Sequence, residues 1–227
     1  MSFDLSQKPF DAAEFMDNPE PRCPCLLILD TSASMQGEPI RHLNAGLVAF
    51  KDELIADAMA VKRVEVAVVT FGPVQVVSEF QTADVFTPPV LTATGATPMG
   101  EAIERGLDLI NARKAIYKQN GISYYRPWVF LITDGGPTDS WANAASLISF
   151  GEISKSFTFF AAGVEGANME ILGRISPQNW KPLHLKELRF RDLFVWLSSS
   201  LGRVSASVPG DTVPLASPVT PDGWAEV

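Results

Sequence analysis

Cysteine and histidine are nearly missing from this 227-residue chain, with two of each. Cys23 and Cys25 are one residue apart, a spacing at which a mutual disulfide is strained. Two thiolates do not complete a structural zinc shell, and His42 and His184 show no partner spacing around them. The thiols therefore read as reduced, as in a cytosolic protein, with Cys25 acting as a small apolar residue where a buried strand begins. Long apolar runs are missing too. Stretches such as Leu26 to Leu29 are far too short to cross a bilayer, and MSFDLSQKPFDAAEF has no apolar core of a signal peptide. The expected location is the cytoplasm. Blocks of Lys or Arg are also lacking: 18 basic against 26 acidic residues give a net charge of -8, which argues against nucleic acid and anionic membrane as partners. The sequence carries no GxxxxGK[ST] phosphate loop, no GxSxG elbow and no HExxH helix. His42 and His184 have no motif that would recruit them to a catalytic triad. The chain reads as a binding module, not an enzyme.

What is present is material for a core. Hydrophobic residues make up 46% and charged residues 19%, so disorder is excluded. Cys25 to Leu29 is a short continuous apolar run, as in a strand covered on both faces. Ile40, Leu43, Leu47, Phe50 and Leu54 then recur every three or four residues, the stripe of a helix with Pro39 in its first turn. Val64 to Phe71 is a second strand, and the Gly72-Pro73 turn leads to a third over Val74 to Phe80, paired as a hairpin. A long loop from about Thr82 to Pro98 precedes a helix through Ile103, Leu107 and Ile110, and Ala115 to Pro127 reads as a connecting excursion. Trp128 to Thr133 and Phe157 to Ala162 are further strands, and Leu183 to Leu185 is a short last one. Helices are expected from near Trp141, over Met169 to Ile175, and through Phe190, Leu193, Phe194 and Leu197. The pattern predicts a doubly wound α/β fold: a mostly parallel six-stranded sheet with one antiparallel edge strand and helices on both faces. A polar arm over 1–24, a domain over 25–204 and an irregular tail over 205–227 complete the organisation. Trp128, Trp141, Trp180 and Trp196 read as packing residues, and Trp224 as a side chain docked onto the domain or a partner.

Three loops carry the chemistry. Asp30-Thr-Ser32-Ala-Ser34 follows the first strand, Asp134-Gly-Gly-Pro follows the Trp128–Thr133 strand, and Thr97 in GATPMG precedes a helix. Sheets of this kind place their sites beyond the carboxyl ends of the strands, so the three loops are expected to meet. Asp30 and Asp134 would bring two carboxylates, and Ser32, Ser34 and Thr97 three hydroxyls. That all-oxygen set selects Mg²⁺ first, with Mn²⁺ or Ca²⁺ as alternatives, over zinc or copper. Two carboxylates neutralise a dication and leave it able to take one more anionic ligand. Glu38 and Glu101 sit at helix starts, where acids favour the dipole, and Asp139 or Ser140 reads as the N-cap of the helix near Trp141.

DTSAS, the Thr of GATPMG and the Asp of ITDGGPTD resemble the metal-ion-dependent adhesion site (MIDAS) of von Willebrand factor A-type (VWA) domains, over about Cys25 to Leu201. RCPCLLILDTSASM, GEPIRHLNAGL, GATPMGEAI and LITDGGPTD look more narrowly like bacterial TerY-like VWA proteins of tellurite-resistance and stress loci. The resemblance implies a cytosolic adaptor with Asp30, Ser32, Ser34, Thr97 and Asp134 as metal ligands. A partner protein, such as a protein kinase or PP2C-type phosphatase, would supply an Asp or Glu to the metal. The alternative is a phosphohydrolase of the haloacid dehalogenase type, which also has an Asp after its first strand. That chemistry needs an acid two residues further on, and Ser32 stands there.

Overall fold

A computed structural model describes residues 15–226. The expectations for the start of the chain, including the lack of a leader and most of the polar arm over 1–24, fall outside those residues. The seven strands are β1 (Cys23–Asp30), β2 (Val64–Phe71), β3 (Gln75–Thr82), β4 (Trp128–Thr133), β5 (Thr158–Gly163), β6 (Leu183–Leu185) and β7 (Ala225–Glu226). They form one sheet in the order β3-β2-β1-β4-β5-β6-β7. All neighbours run parallel except β2–β3 and β6–β7, so both edges are antiparallel. The doubly wound architecture is as expected. The strand beyond the expected six comes from the tail: Trp224 is buried against Trp196, with ring centroids 5.6 Å apart, and the next two residues pair with β6.

β1, β2, β4 and β5 are buried along their whole length, as continuous apolar strands in a sheet covered on both faces should be. Alternation divides their side chains between two cores. Cys25, Leu27 and Leu29 of β1 enter one, and Leu26 and Ile28 the other. On the first face lie α1 (Glu38–Ala56) and α6 (Phe190–Ser205), together with a short turn of helix, α2 (Ala60–Arg63), that leads from α1 into β2. The predicted stripe Ile40, Leu43, Leu47, Phe50 and Leu54 packs there, and each fully buried Leu or Phe of it contributes roughly 1.5–3 kcal/mol. On the second face lie α3 (Met99–Gln119), α4 (Ala142–Ile153) and α5 (Met169–Ile175). α3 runs on to Gln119, into the start of the stretch expected to be a connecting excursion, because Arg113 and Tyr117 extend its buried face.

The strand order reverses between β1 and β4. From β1 the chain crosses to β2 on one side; β4, on the other side, leads on to β5. The loops leaving the carboxyl ends of β1 and β4 therefore diverge and leave a crevice between them.

Candidate metal centre

β1 and β4 are direct neighbours, with Leu29 opposite Ile132, so Asp30 and Asp134 leave the sheet side by side. Asp30 is fully buried. Its Oδ1 accepts the Ser32 amide at 2.8 Å and its Oδ2 accepts the Thr133 hydroxyl at 2.5 Å. The chain then makes one 3₁₀ turn, Ala33–Met35, which swings Ser34 inward. The Ser32 and Ser34 hydroxyls lie 3.0 Å apart, and Ser34 donates to Asp134 Oδ1 at 2.7 Å. Thr97 is tied to the Asp134 loop by Thr138, whose hydroxyl accepts the Thr97 amide at 3.1 Å and whose amide donates to the Thr97 carbonyl at 2.9 Å. Thr97 Oγ1 lies 3.8 Å from where a Cβ on Gly135 would stand. All five predicted residues meet at one end of the sheet. Ser32, Thr97 and Asp134 are buried, and Ser34 opens onto solvent.

The floor of this loop cluster needs glycine. Gly72 has φ 129°, and a Cβ there would come 2.6 Å from the Thr31 carbonyl oxygen and 2.7 Å from the Ser32 amide. Gly95, at φ 78°, packs on Gly72 and accepts the Ala33 amide at 3.1 Å. A side chain at either position would push the motif loop outward.

The electrostatics of the site favour a cation between the two carboxylates. Burial raises the Asp30 carboxyl above the usual aspartate range, and the Asp134 carboxylate adds to that rise; hydrogen bonds from Ser32 and Thr133 oppose it. Burial likewise raises Asp134, against the hydrogen bond from Ser34. Among the described residues, no Lys, Arg or His forms an ion pair with either carboxylate. Buried charges are normally paired or bound to a metal. A hard dication matches both the charge and the oxygen donors. Among the described residues, no three His, Cys, Asp or Glu side chains gather as a metal shell; here three of the five donors are hydroxyls.

Several supporting residues were not singled out from the sequence. Thr133 holds the second oxygen of Asp30, and Thr138 locks the Thr97 loop. Both lie beside Asp134 in the ITDGGPTD stretch, the only signal that could have flagged them. Asp139 is a cap, but of α3: its two oxygens accept the Gly100 and Glu101 amides at 3.1 and 2.8 Å. The helix it was expected to cap, α4, has Trp141 at its N-cap position and no side-chain cap. Glu38 and Glu101 lie in the first turns of α1 and α3. His42 is exposed beside Glu38, and His184 lies 3.5 Å from Glu226 at the sheet edge.

Neither a family model nor a curated protein sequence matches the chain. Solved structures do. Proximal thread matrix protein 1 from the mussel byssus matches 80% of this chain and 48% of its own, with a TM-score of 0.56 at 15% identity. The pilus adhesin SpaC from Lactobacillus rhamnosus GG, in its open conformation, matches 81% of this chain and 30% of its own, with a TM-score of 0.62 at 13% identity. The thread matrix protein with a zinc-occupied MIDAS motif matches 80% of this chain and 47% of its own, with a TM-score of 0.51 at 17% identity. At such identities the likeness is one of fold, and the chain has a VWA-type fold. It spans about half the length of the thread matrix protein and under a third of the adhesin. Among the described residues, no helix is long and apolar enough to cross a membrane.

Proposed function

We propose that this protein is a metal-dependent protein-binding module. Asp30, Ser32, Ser34, Thr97 and Asp134 would hold one divalent cation, and a partner's Asp or Glu would complete its shell. The observation that carries this reading is the pair of adjacent, buried, uncompensated carboxylates ringed by hydroxyls at the crevice between β1 and β4. A bound dication supplies Lewis acidity toward a carboxylate oxygen. The protein's part is to fix the donors. Thr133 and the Ser32 amide orient Asp30, the two serines and Asp134 form a hydrogen-bonded row, and Thr138 holds Thr97 over it. The donors favour Mg²⁺, with Mn²⁺ or Ca²⁺ next. The zinc-occupied motif of the mussel protein supports divalent binding by this fold and makes Zn²⁺ a necessary arm of any titration.

The finer reading is a cytoplasmic adaptor of the TerY-like kind in a bacterial stress or tellurite-resistance system, with a protein kinase or PP2C-type phosphatase as partner. Its support is the likeness of the four motif stretches. Calorimetric titration with Mg²⁺, Mn²⁺, Ca²⁺ and Zn²⁺ is expected to show one site in the wild type and none in Asp30→Ala; equal binding by both refutes the assignment. Capture from native lysate should yield a partner that EDTA releases and Asp30→Ala does not retain. A partner held equally in EDTA overturns the metal bridge.

A further inference from the structure

The first face of the sheet is only half covered by helices. α1 and α6 pack on each other over β1 and β2, and two helices cannot span seven strands. Over β4 and β5, on that face, lies a cavity of about 1290 Å³ roofed by the tail around 209–219. Its floor is aromatic. Trp128, Phe130 and Phe160 of the strands are buried core rings beneath it, Trp196 of α6 is half-buried beside them, and Trp180 is the exposed ring. Phe160 is central, with ring centroids 5.1 Å from Trp128, 5.7 Å from Phe130 and 5.1 Å from Trp180. These tryptophans read from sequence as packing residues, yet Trp180 is 40% exposed. Much of the cavity wall comes from the segments that enter β4 and β5, so it opens toward the end of the sheet opposite the hydroxyl cluster.

The rim is cationic in a chain of net charge -8. Arg126 is neutralised by Glu152 at 2.6 Å. Lys114, Lys155 and Lys181 also line the cavity, and among the described residues none of the three has a carboxylate partner. Lys114 Nζ donates to the Ser156 carbonyl at 3.2 Å, and burial, with Lys118 nearby, pushes its amine below the ordinary lysine range. The one acid in the lining, Asp211, turns back to accept the Val208 amide. Lys155 holds an unusual backbone. With φ 55° it follows the last turn of α4, where its amide bonds to the Glu152 carbonyl at 3.1 Å and the Ser156 amide to the Gly151 carbonyl at 2.8 Å. That helix-ending motif ordinarily takes glycine. Only one other described non-glycine residue, Glu187, has a positive φ. A lysine in a backbone conformation that favours glycine, lining the same cavity as two more lysines without a carboxylate partner among the described residues, places uncompensated positive charge on this rim.

We propose that this cavity is a second binding site, for a small amphipathic organic anion with an aromatic or acyl body on the ring floor and a carboxylate or sulfonate at the lysine rim. The cavity is partly open to solvent and has room for a small organic molecule. The site is independent of the metal centre.

The test uses the full chain with decanoate, its neutral analogue decanol, and anilinonaphthalene sulfonate, read by calorimetry and tryptophan fluorescence. Decanoate is expected to bind at one saturable site, at least tenfold more tightly than decanol. Affinity should fall at least tenfold in Trp180→Ala and in the double variant Lys155→Asn with Lys181→Gln. Both variants alter exposed side chains, and asparagine tolerates the backbone at 155. Asp30→Ala should bind decanoate as the wild type does, so failure at the metal centre and failure here are distinguishable. Non-saturable binding, equal affinity for decanol, or no change in both variants overturns the proposal. Binding of anilinonaphthalene sulfonate that survives both variants shows loose surface adsorption and overturns it as well.

Discussion

Two buried acids on neighbouring strands have opposite surroundings. Glu65, near the start of β2, is fully enclosed and fully answered. Arg22 Nε lies 2.9 Å from its Oε1, Arg113 donates to both oxygens at 2.7 and 2.8 Å, and the Tyr117 hydroxyl adds a further bond. Asp30, at the far end of β1, is equally enclosed but faces hydroxyls, an amide and a second carboxylate. The first arrangement needs nothing from outside. The second leaves two negative charges uncompensated, so the same residue class, equally buried, is structural at one end of the sheet and ready for a cation at the other.

Removing the compensated charge should cost most. Glu65→Gln keeps the shape but leaves Arg22, itself fully buried, with no carboxylate partner among the described residues. Breaking a buried pair in this way costs roughly 3–5 kcal/mol. Chemical denaturation should show a loss of that size, indifferent to added metal. A change below about 1 kcal/mol would erase the contrast.

Asp30→Ala should do the reverse. Without metal it removes an uncompensated buried charge, so it should cost less than Glu65→Gln. What it should abolish is the gain on adding cation, which for a wild-type site at a hundred times its Kd is about 2.7 kcal/mol. Thermal unfolding with and without Mg²⁺ measures both. A variant that keeps the metal-dependent gain removes Asp30 from the site.

Acidity sharpens the comparison further. The folded-state pKa values of Asp30 and Asp134 are raised, so in the metal-free protein these groups penalise folding above that raised range. The penalty fades as pH falls through it toward the unfolded value near 3.8. A bound cation needs both groups ionised, so the metal-dependent gain should shrink over the same window. Unfolding curves across pH, in EDTA and in Mg²⁺, should therefore converge on acidification. In Asp30→Asn they should coincide throughout.

Much of this was legible in sequence because it is local. The four central strands are continuous apolar runs, α1 is a spaced stripe, four of the site residues lie at or just after the ends of buried strands, and Thr97 stands just before α3. What escaped is non-local. Glu65 lies in an ordinary β-branched strand, and its partners are 43 to 52 residues away. Asp139 caps a helix that starts about forty residues earlier in the chain, and Thr133 reaches an aspartate 103 residues away. The seventh strand exists because a buried tryptophan anchors a tail whose Pro, Gly and Ser content reads as irregular. No periodicity encodes such pairings; they follow only once the sheet order is known.

The smallest expected effect concerns a cost carried by the backbone. Lys155 sits in the left-handed region, which costs a residue with a Cβ roughly 1–2 kcal/mol. Glycine relieves that cost but adds unfolded-state freedom worth about 0.4–1 kcal/mol. Lys155→Gly should therefore stabilise the protein by about 0–1.6 kcal/mol, as a small rise in denaturation midpoint at unchanged slope. If the lysine is held there to meet an anion, the same substitution should weaken decanoate binding. Stability and affinity moving in opposite directions separate a retained function from an ordinary helix end. Stability gained with affinity intact would make Lys155 a bystander and leave Lys114 and Lys181 to carry the charge of the rim.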